Sequence, residues 1–78
     1  MSSNIDKVAE ELMKEIRERL QEIYPKLQEW LLKNQPKLAY IYETYYQQAM
    51  YHRDPYIASE YAYRIFRAYV SIKGINHE

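Results

Sequence analysis

The sequence predicts an all-α protein, a small three-helix up–down bundle, and three observations carry that expectation. Glycine occurs once and proline three times in 78 residues, so nearly every position tolerates a helix. Apolar residues recur at spacings of three and four through three successive segments. The interruptions fall at "YPKL", "NQPKL" and "HRDPYI", where proline either disturbs a helix or opens one.

The first segment places Ile5, Val8, Ala9, Leu12, Met13, Ile16, Leu20 and Ile23 on one stripe, opposite a charged face. Glu10–Lys14 and Glu15–Arg19 stand in the favourable i,i+4 order on that face. Ser3 or Asn4 is positioned to cap its start. Pro25 removes a backbone donor and crowds the carbonyl four residues back, yet Leu27, Trp30 and Leu31 continue the stripe in phase. A helix over residues 4–33 is therefore expected, kinked or broken near Pro25. Either it kinks and runs on, or it stops and restarts.

Asn34 as a cap and Pro36 in the first turn predict a second helix over residues 36–52. Its inward stripe reads Leu38, Ile41, Tyr42, Tyr45, Ala49 and His52. Asp54 as N-cap and Pro55 at the first position then open a third helix over residues 55–73, with Ala58, Tyr61, Ala62, Ile65, Tyr69 and Ile72 inward. Gly74 is expected in the left-handed conformation, with Ile75 completing a Schellman cap and a frayed tail over 75–78. The second and third helices, joined by a short turn, should form an antiparallel hairpin, with the first packed across both. Ala49, Ala58 and Ala62 would let the hairpin helices approach closely. Residues 1–78 thus read as a single helical-bundle domain.

Composition narrows the function classes. The absence of cysteine excludes disulfides and thiolate metal sites. A core this small supplies about 3–5 kcal/mol, which makes oligomerisation or complex formation an expectation from the start. Eleven basic side chains balance eleven acidic ones, so charge gives no basis for an autonomous nucleic-acid binder or a membrane-surface protein. The distribution is uneven: residues 1–24 hold four basic and six acidic groups, residues 25–53 four and two, residues 54–78 three and three. "MSSNIDKVAEE" lacks the pattern of a secretory signal, and no apolar run reaches the length of a membrane span. A cytoplasmic location follows as the expectation. Abundant Lys, Glu, Ile and Tyr without Cys also suit a thermophile.

Ten tyrosines are the chain's most unusual feature, nine of them between Tyr40 and Tyr69. Tyr42, Tyr45, Tyr61 and Tyr69 fall on inward stripes, with Tyr46 at their edge, and are expected to pack with their hydroxyls at the rim. Tyr40 and Tyr51 point outward on the second helix. Tyr56, Tyr63, Arg67 and Val70 share an outward sector of the third, with Phe66 between it and the core. Tyrosine and arginine on a rigid exposed face are the residue types enriched at binding hot spots. Base stacking normally needs a positively charged groove. Arg53, Arg64, Arg67 and Lys73 against Asp54 and Glu60 give only a thin excess, so nucleic acid is expected as a helper contact at most.

No catalytic constellation is legible. His52-Arg53-Asp54 spells a fragment of a kinase catalytic loop, but no glycine-rich loop accompanies it, and Asp54 reads as a helix cap. His52, Asp54 and Glu43 lack the paired spacing of a metal-binding helix, and His77 lies in the tail. No enzyme activity, cofactor, metal or small-molecule substrate is expected.

The run "AMYHRDPYIASEYAYRIFRAYVSIKGI" resembles a helical hairpin found in short archaeal three-helix proteins of unassigned function. An aromatic-rich helix ends at a tight turn carrying Asp54, Ala58, Glu60, Ala62 and Tyr63 follow, and Gly74 closes the unit. HEPN domains and single tetratricopeptide units share this pattern. Arg53 stands where the pattern usually has glycine. The arginine–histidine motif of nuclease-active HEPN domains is missing, since Arg67 and His77 are too far apart and His52 precedes its nearest arginine. The resemblance therefore implies a non-catalytic member. In size, helicity and lack of cysteine the chain is also similar to a small accessory subunit of the crenarchaeal family-B DNA polymerase, which implies a role in DNA replication. The expected function is a non-enzymatic protein–protein interaction module that binds another protein, or itself, through Tyr40, Tyr51, Tyr56, Tyr63, Arg67 and Val70. The alternatives are an accessory subunit of a nucleic-acid enzyme and a non-catalytic HEPN-like toxin–antitoxin partner.

Overall fold

The first helix does not stop at Pro25. In the computed structural model, which describes residues 2–75 with the side chains of 2–4 and 75 outside that description, α1 spans Ser2–Asn34 without interruption. α2 spans Pro36–Tyr51 and α3 spans Pro55–Ile75, and all three helices pack against one another. No strand occurs among the described residues. Pro25 is exposed, while Leu20 and Leu27 on either side of it are fully buried. Tertiary packing of that stripe outweighs the single hydrogen bond the proline removes. The helix is already formed at Ser2, and the Ser3 and Asn4 side chains, the expected caps, lie outside the described residues.

Gln35 alone separates α1 from α2. Its N–H donates to the Leu31 carbonyl at 2.6 Å, and its own carbonyl accepts from Leu38 and Ala39 at 2.9 and 3.1 Å. Asn34 does not cap α2. It is the last residue of α1, and its Nδ2 donates to the Trp30 carbonyl at 2.9 Å, so it closes the helix before the break. The α2–α3 turn is built as expected. Asp54 Oδ1 accepts from the Tyr56 N–H at 2.9 Å, and Pro55 takes the first helical position. His52 Nδ1 accepts from the Asp54 N–H at 3.0 Å, which stiffens the turn.

Gly74 departs from expectation. No glycine takes a positive φ, and α3 continues through Gly74 to Ile75, so no left-handed stop forms there. A Cβ at Gly74 would meet nothing within 4 Å, so no neighbour forces the chain to turn. The tail beyond, including His77, lies outside the described residues.

The innermost residues are aliphatic and small. Leu20, Leu27, Leu31, Ala39, Ala49, Ala62, Ile65 and Ile72 form one buried cluster, and Ala58 is fully buried as well. The inward stripe of α3 holds as read: Ala58, Ala62, Ile65 and Ile72 are buried, Tyr61 and Tyr69 half-buried. α2 faces two neighbours, and the stripe predicted from spacing faces only one of them. Tyr45 meets Tyr61 of α3, while Ala39 and Tyr46 face α1, where the Gln28 side chain reaches the Ala39 carbonyl. Leu38 and Ile41, expected inward, are exposed at the outer margin of that arc.

One interaction sets the position of the hairpin along α1. Arg17 Nε donates to the Ala49 carbonyl at 2.9 Å, and its Nη2 donates to the His52 carbonyl at 2.8 Å. These carbonyls belong to the end of α2, where the last turn leaves acceptors unsatisfied and the helix dipole favours a cation. α1 is about 50 Å long at 1.5 Å per residue, which accounts for the whole 48 Å long axis. With the hairpin anchored at Arg17, the first turns of α1 project past it. Ile5, Val8 and Leu12, placed on the inward stripe by spacing, are consequently 62%, 57% and 55% exposed, and burial begins at Met13. The ion pairs also differ from the sequence pattern. Arg19 turns to Glu22 at 3.7 Å and Lys33 to Glu29 at 3.9 Å, both exposed pairs worth little individually.

Two substitutions test this description. Arg17→Met keeps the stem but removes two charge-assisted hydrogen bonds, and chemical denaturation should show a loss of about 2 kcal/mol. Gly74→Ala, in a helical and unobstructed position, should raise stability by about 0.5–1 kcal/mol. A loss there would mean that Gly74 occupies the left-handed conformation in solution.

Candidate functional site

The six expected partner residues are all exposed. Tyr56, Tyr63, Arg67 and Val70 recur at spacings of seven, four and three, which places them on one line along α3, diametrically away from Ala58, Ala62 and Ile65. The Arg67 guanidinium lies 5.9 Å from the centre of the Tyr63 ring. That cation–π contact, at the long end of the range and exposed, brings both side chains together on the outside of the helix. Tyr40 and Tyr51 stand eleven residues apart on α2 and share its outward line. Among the described residues no ring contact joins Tyr40 or Tyr51 to the α3 line, so the six residues form two separate stripes rather than one face. Tyr51 is flanked instead by Gln47, His52 and Arg53 at the hairpin end.

The other tyrosines behave differently. Tyr42 meets Tyr45 edge-on at 5.0 Å, Tyr45 meets Tyr61 at 5.6 Å, and the Arg64 guanidinium lies 5.1 and 5.2 Å from the Tyr45 and Tyr61 rings. This chain of rings covers the α2–α3 seam from outside, and Arg64 is occupied by it. On the α1 side, Tyr24 stacks on Tyr46 with centroids 4.0 Å apart and planes 11° apart. Gln28 Nε2 donates to the Tyr24 hydroxyl at 2.7 Å and to the Ala39 carbonyl at 3.2 Å. Burial raises the Tyr24 phenol above its usual range, with Glu43 and Tyr46 adding to the effect. Burial raises Tyr46 likewise, with Tyr51 adding.

Two further surface features lack any signal in the local sequence. A groove of about 440 Å³ lies between α1 and α3, lined by Trp30, Tyr69 and Ile72 together with Lys26, Lys33 and Lys73. Glu29 neutralises part of that rim through its pair with Lys33, and Lys73 lies 5.7 Å from the Tyr69 ring. A hollow of about 360 Å³ lies at the opposite end, lined by Ile5, Val8, Ala9, Leu12 and Tyr56. The disparity between a long first segment and a short second one was the only sign of this hollow, since a long helix must outrun a short neighbour.

Among the described residues no three His, Asp or Glu side chains converge as a metal site requires, and no helix is long and apolar enough to cross a membrane. Compared with protein families, with curated proteins and with solved structures, the chain matches none.

The Tyr24–Tyr46 stack makes a testable pH statement. Below a phenol's usual value of about 10, folded and unfolded chains both keep these protons, and stability is unaffected by them. Above it the unfolded chain ionises first, so stability should fall as pH rises through the raised folded values. Phenolate absorbance should show two late-titrating tyrosines, and Tyr24→Phe with Tyr46→Phe should remove the late component.

Proposed function

We propose that this chain is a non-enzymatic helical module that binds another protein through its outward tyrosines. The observation that supports the reading is the α3 line of Tyr56, Tyr63, Arg67 and Val70, exposed together on a rigid helix of 21 residues, with Tyr63 and Arg67 already paired. Rings and guanidinium groups held in place lose little side-chain entropy on binding, which is why such residues dominate hot spots. Tyr40 and Tyr51, on their own stripe of α2, serve as peripheral contacts in this reading. An accessory subunit of a nucleic-acid enzyme is one form such a module takes, and co-purification with a polymerase would identify it.

The double substitution Tyr63→Ala with Arg67→Ala tests the proposal. Helicity and melting should change by no more than about 0.5 kcal/mol, as for surface positions generally. Affinity for the partner recovered by pull-down from the native host should fall by more than about 1 kcal/mol. Binding at wild-type strength with the fold intact would remove this face from consideration.

A further inference from the structure

Ile5, Leu12, Ile23 and Trp30 lie on one line of α1 by helical spacing. At Trp30 this line meets α3, where Tyr69 and Ile72 share the groove. At Ile5 and Leu12, among the described residues, Tyr56 is the one from outside α1 that lines the hollow, because α3 begins only at Pro55. The projecting turns of α1 therefore carry the continuation of a helix-packing seam whose second helix is missing.

Charge is arranged around that seam with one sign. Helical spacing puts Glu11 and Glu15 on one flank and Asp6 on the other, while Glu10, Lys7 and Lys14 fall together on the far side. Arg17, the next cation along, is turned onto the carbonyls of Ala49 and His52. The apolar strip thus runs between acidic edges, and among the described residues of α1 no free cation flanks it.

We propose that this face is a docking site for a cationic amphipathic helix of a partner protein. The helix lies in line with α3 and buries its apolar side on Ile5, Val8 and Leu12. Its lysines or arginines lie against Glu11 and Glu15 on one edge and Asp6 on the other. A helix suits the gap because the vacant position is that of an α3 continued backward. Charge selects the occupant. A second copy would bring Glu11 and Glu15 of both chains together, and an anionic membrane surface would be repelled by these carboxylates and Asp6. The face is distinct from Tyr63 and Arg67, so it does not depend on the outward stripe being the binding surface.

The test uses the full chain and a fluorescein-labelled synthetic peptide with leucines at helical spacing and lysines on both flanks. The control is the same peptide with glutamates in place of the lysines. Anisotropy should show the lysine peptide binding at least about tenfold more tightly than the glutamate peptide. Val8→Gln with Leu12→Gln should weaken it about tenfold while the melting curve is unchanged. Glu11→Lys with Glu15→Lys, a purely surface change, should reverse the preference between the peptides. Tyr63→Ala with Arg67→Ala should leave the peptide's affinity as it was. Equal binding of both peptides, or affinity untouched by the Val8 and Leu12 changes, overturns the proposal, as does loss of binding in the Tyr63 and Arg67 variant. Sedimentation showing a wild-type dimer abolished by Val8→Gln with Leu12→Gln overturns it as well, because the occupant is then a second copy.

Discussion

Arg17 determines where the hairpin sits along α1, and much of the molecule's surface follows from that. α2 has no basic residue in its own last turn, so the negative end of its dipole is met by a cation from another helix. At the opposite end the connection through Gln35 leaves no slack. α2 is thereby clamped between the Arg17 guanidinium and the close of α1 at Asn34. Its 16 residues match that stretch of α1 and no more. Everything before Met13 projects, and the exposure of Ile5, Val8 and Leu12 is a consequence of this length mismatch rather than of a break in amphipathic pattern.

The abundance of tyrosine has a packing explanation before it has a functional one. With Ala39, Ala49, Ala58 and Ala62 at the contacts, the three helices approach closely, and the sealed interior is thin. A thin interior leaves wide seams between helices. Flat rings whose hydroxyls remain near water suit such seams better than leucine, because their apolar faces cover the core and their polar tips need no buried partner. Tyr42, Tyr45, Tyr46, Tyr61 and Tyr69 all pack against the buried cluster in this way, and none is fully buried. Arg64 between Tyr45 and Tyr61 and Lys73 beside Tyr69 extend the cover with charged side chains. Tyr40, Tyr51 and Tyr63 have no such seam to cover, and Tyr56 meets only the exposed first turns of α1, which is what sets them apart.

Periodicity and proline placement made the three helices, the hairpin turn and the inward face of α3 legible from the chain alone. They could not supply quantities that depend on how helices are cut to length against each other. The α1 stripe was in phase along its whole run, but phase says nothing about whether a neighbour reaches Ile5. On α2 the stripe through Tyr42 and Tyr45 was visible because large residues mark it. The second contact, through Ala39, was hidden because alanine carries little signal of its own. Asn34 and Gly74 were read from end-of-helix statistics, and in both cases the helix ran a little further than the signal. For the surface, spacing sorted the outward tyrosines correctly by exposure, yet it could not show that α2 and α3 aim them in different directions.

Area limits what either exposed surface can do alone. Burying the remaining half of Ile5, Val8 and Leu12 yields about 1 kcal/mol apiece, whereas association in water costs about 4 kcal/mol or more before any net affinity appears. The acidic edges made by Glu11, Glu15 and Asp6 would speed encounter with the proposed cationic helix and fix its register, but exposed charges add little to the equilibrium. The α3 stripe faces the same arithmetic, since Tyr63, Arg67 and Val70 cover far less than the roughly 800 Å² per partner of a standard stable interface. Tyr56 changes the balance because it belongs to both: it lines the hollow beside Leu12 and begins the outward line of α3. A partner segment passing over Tyr56 contacts the two surfaces without a second docking event, so the ordering cost is incurred once while both sets of contacts accrue. On this arithmetic the proposed module would bind weakly through either surface and firmly only through a partner long enough to use both.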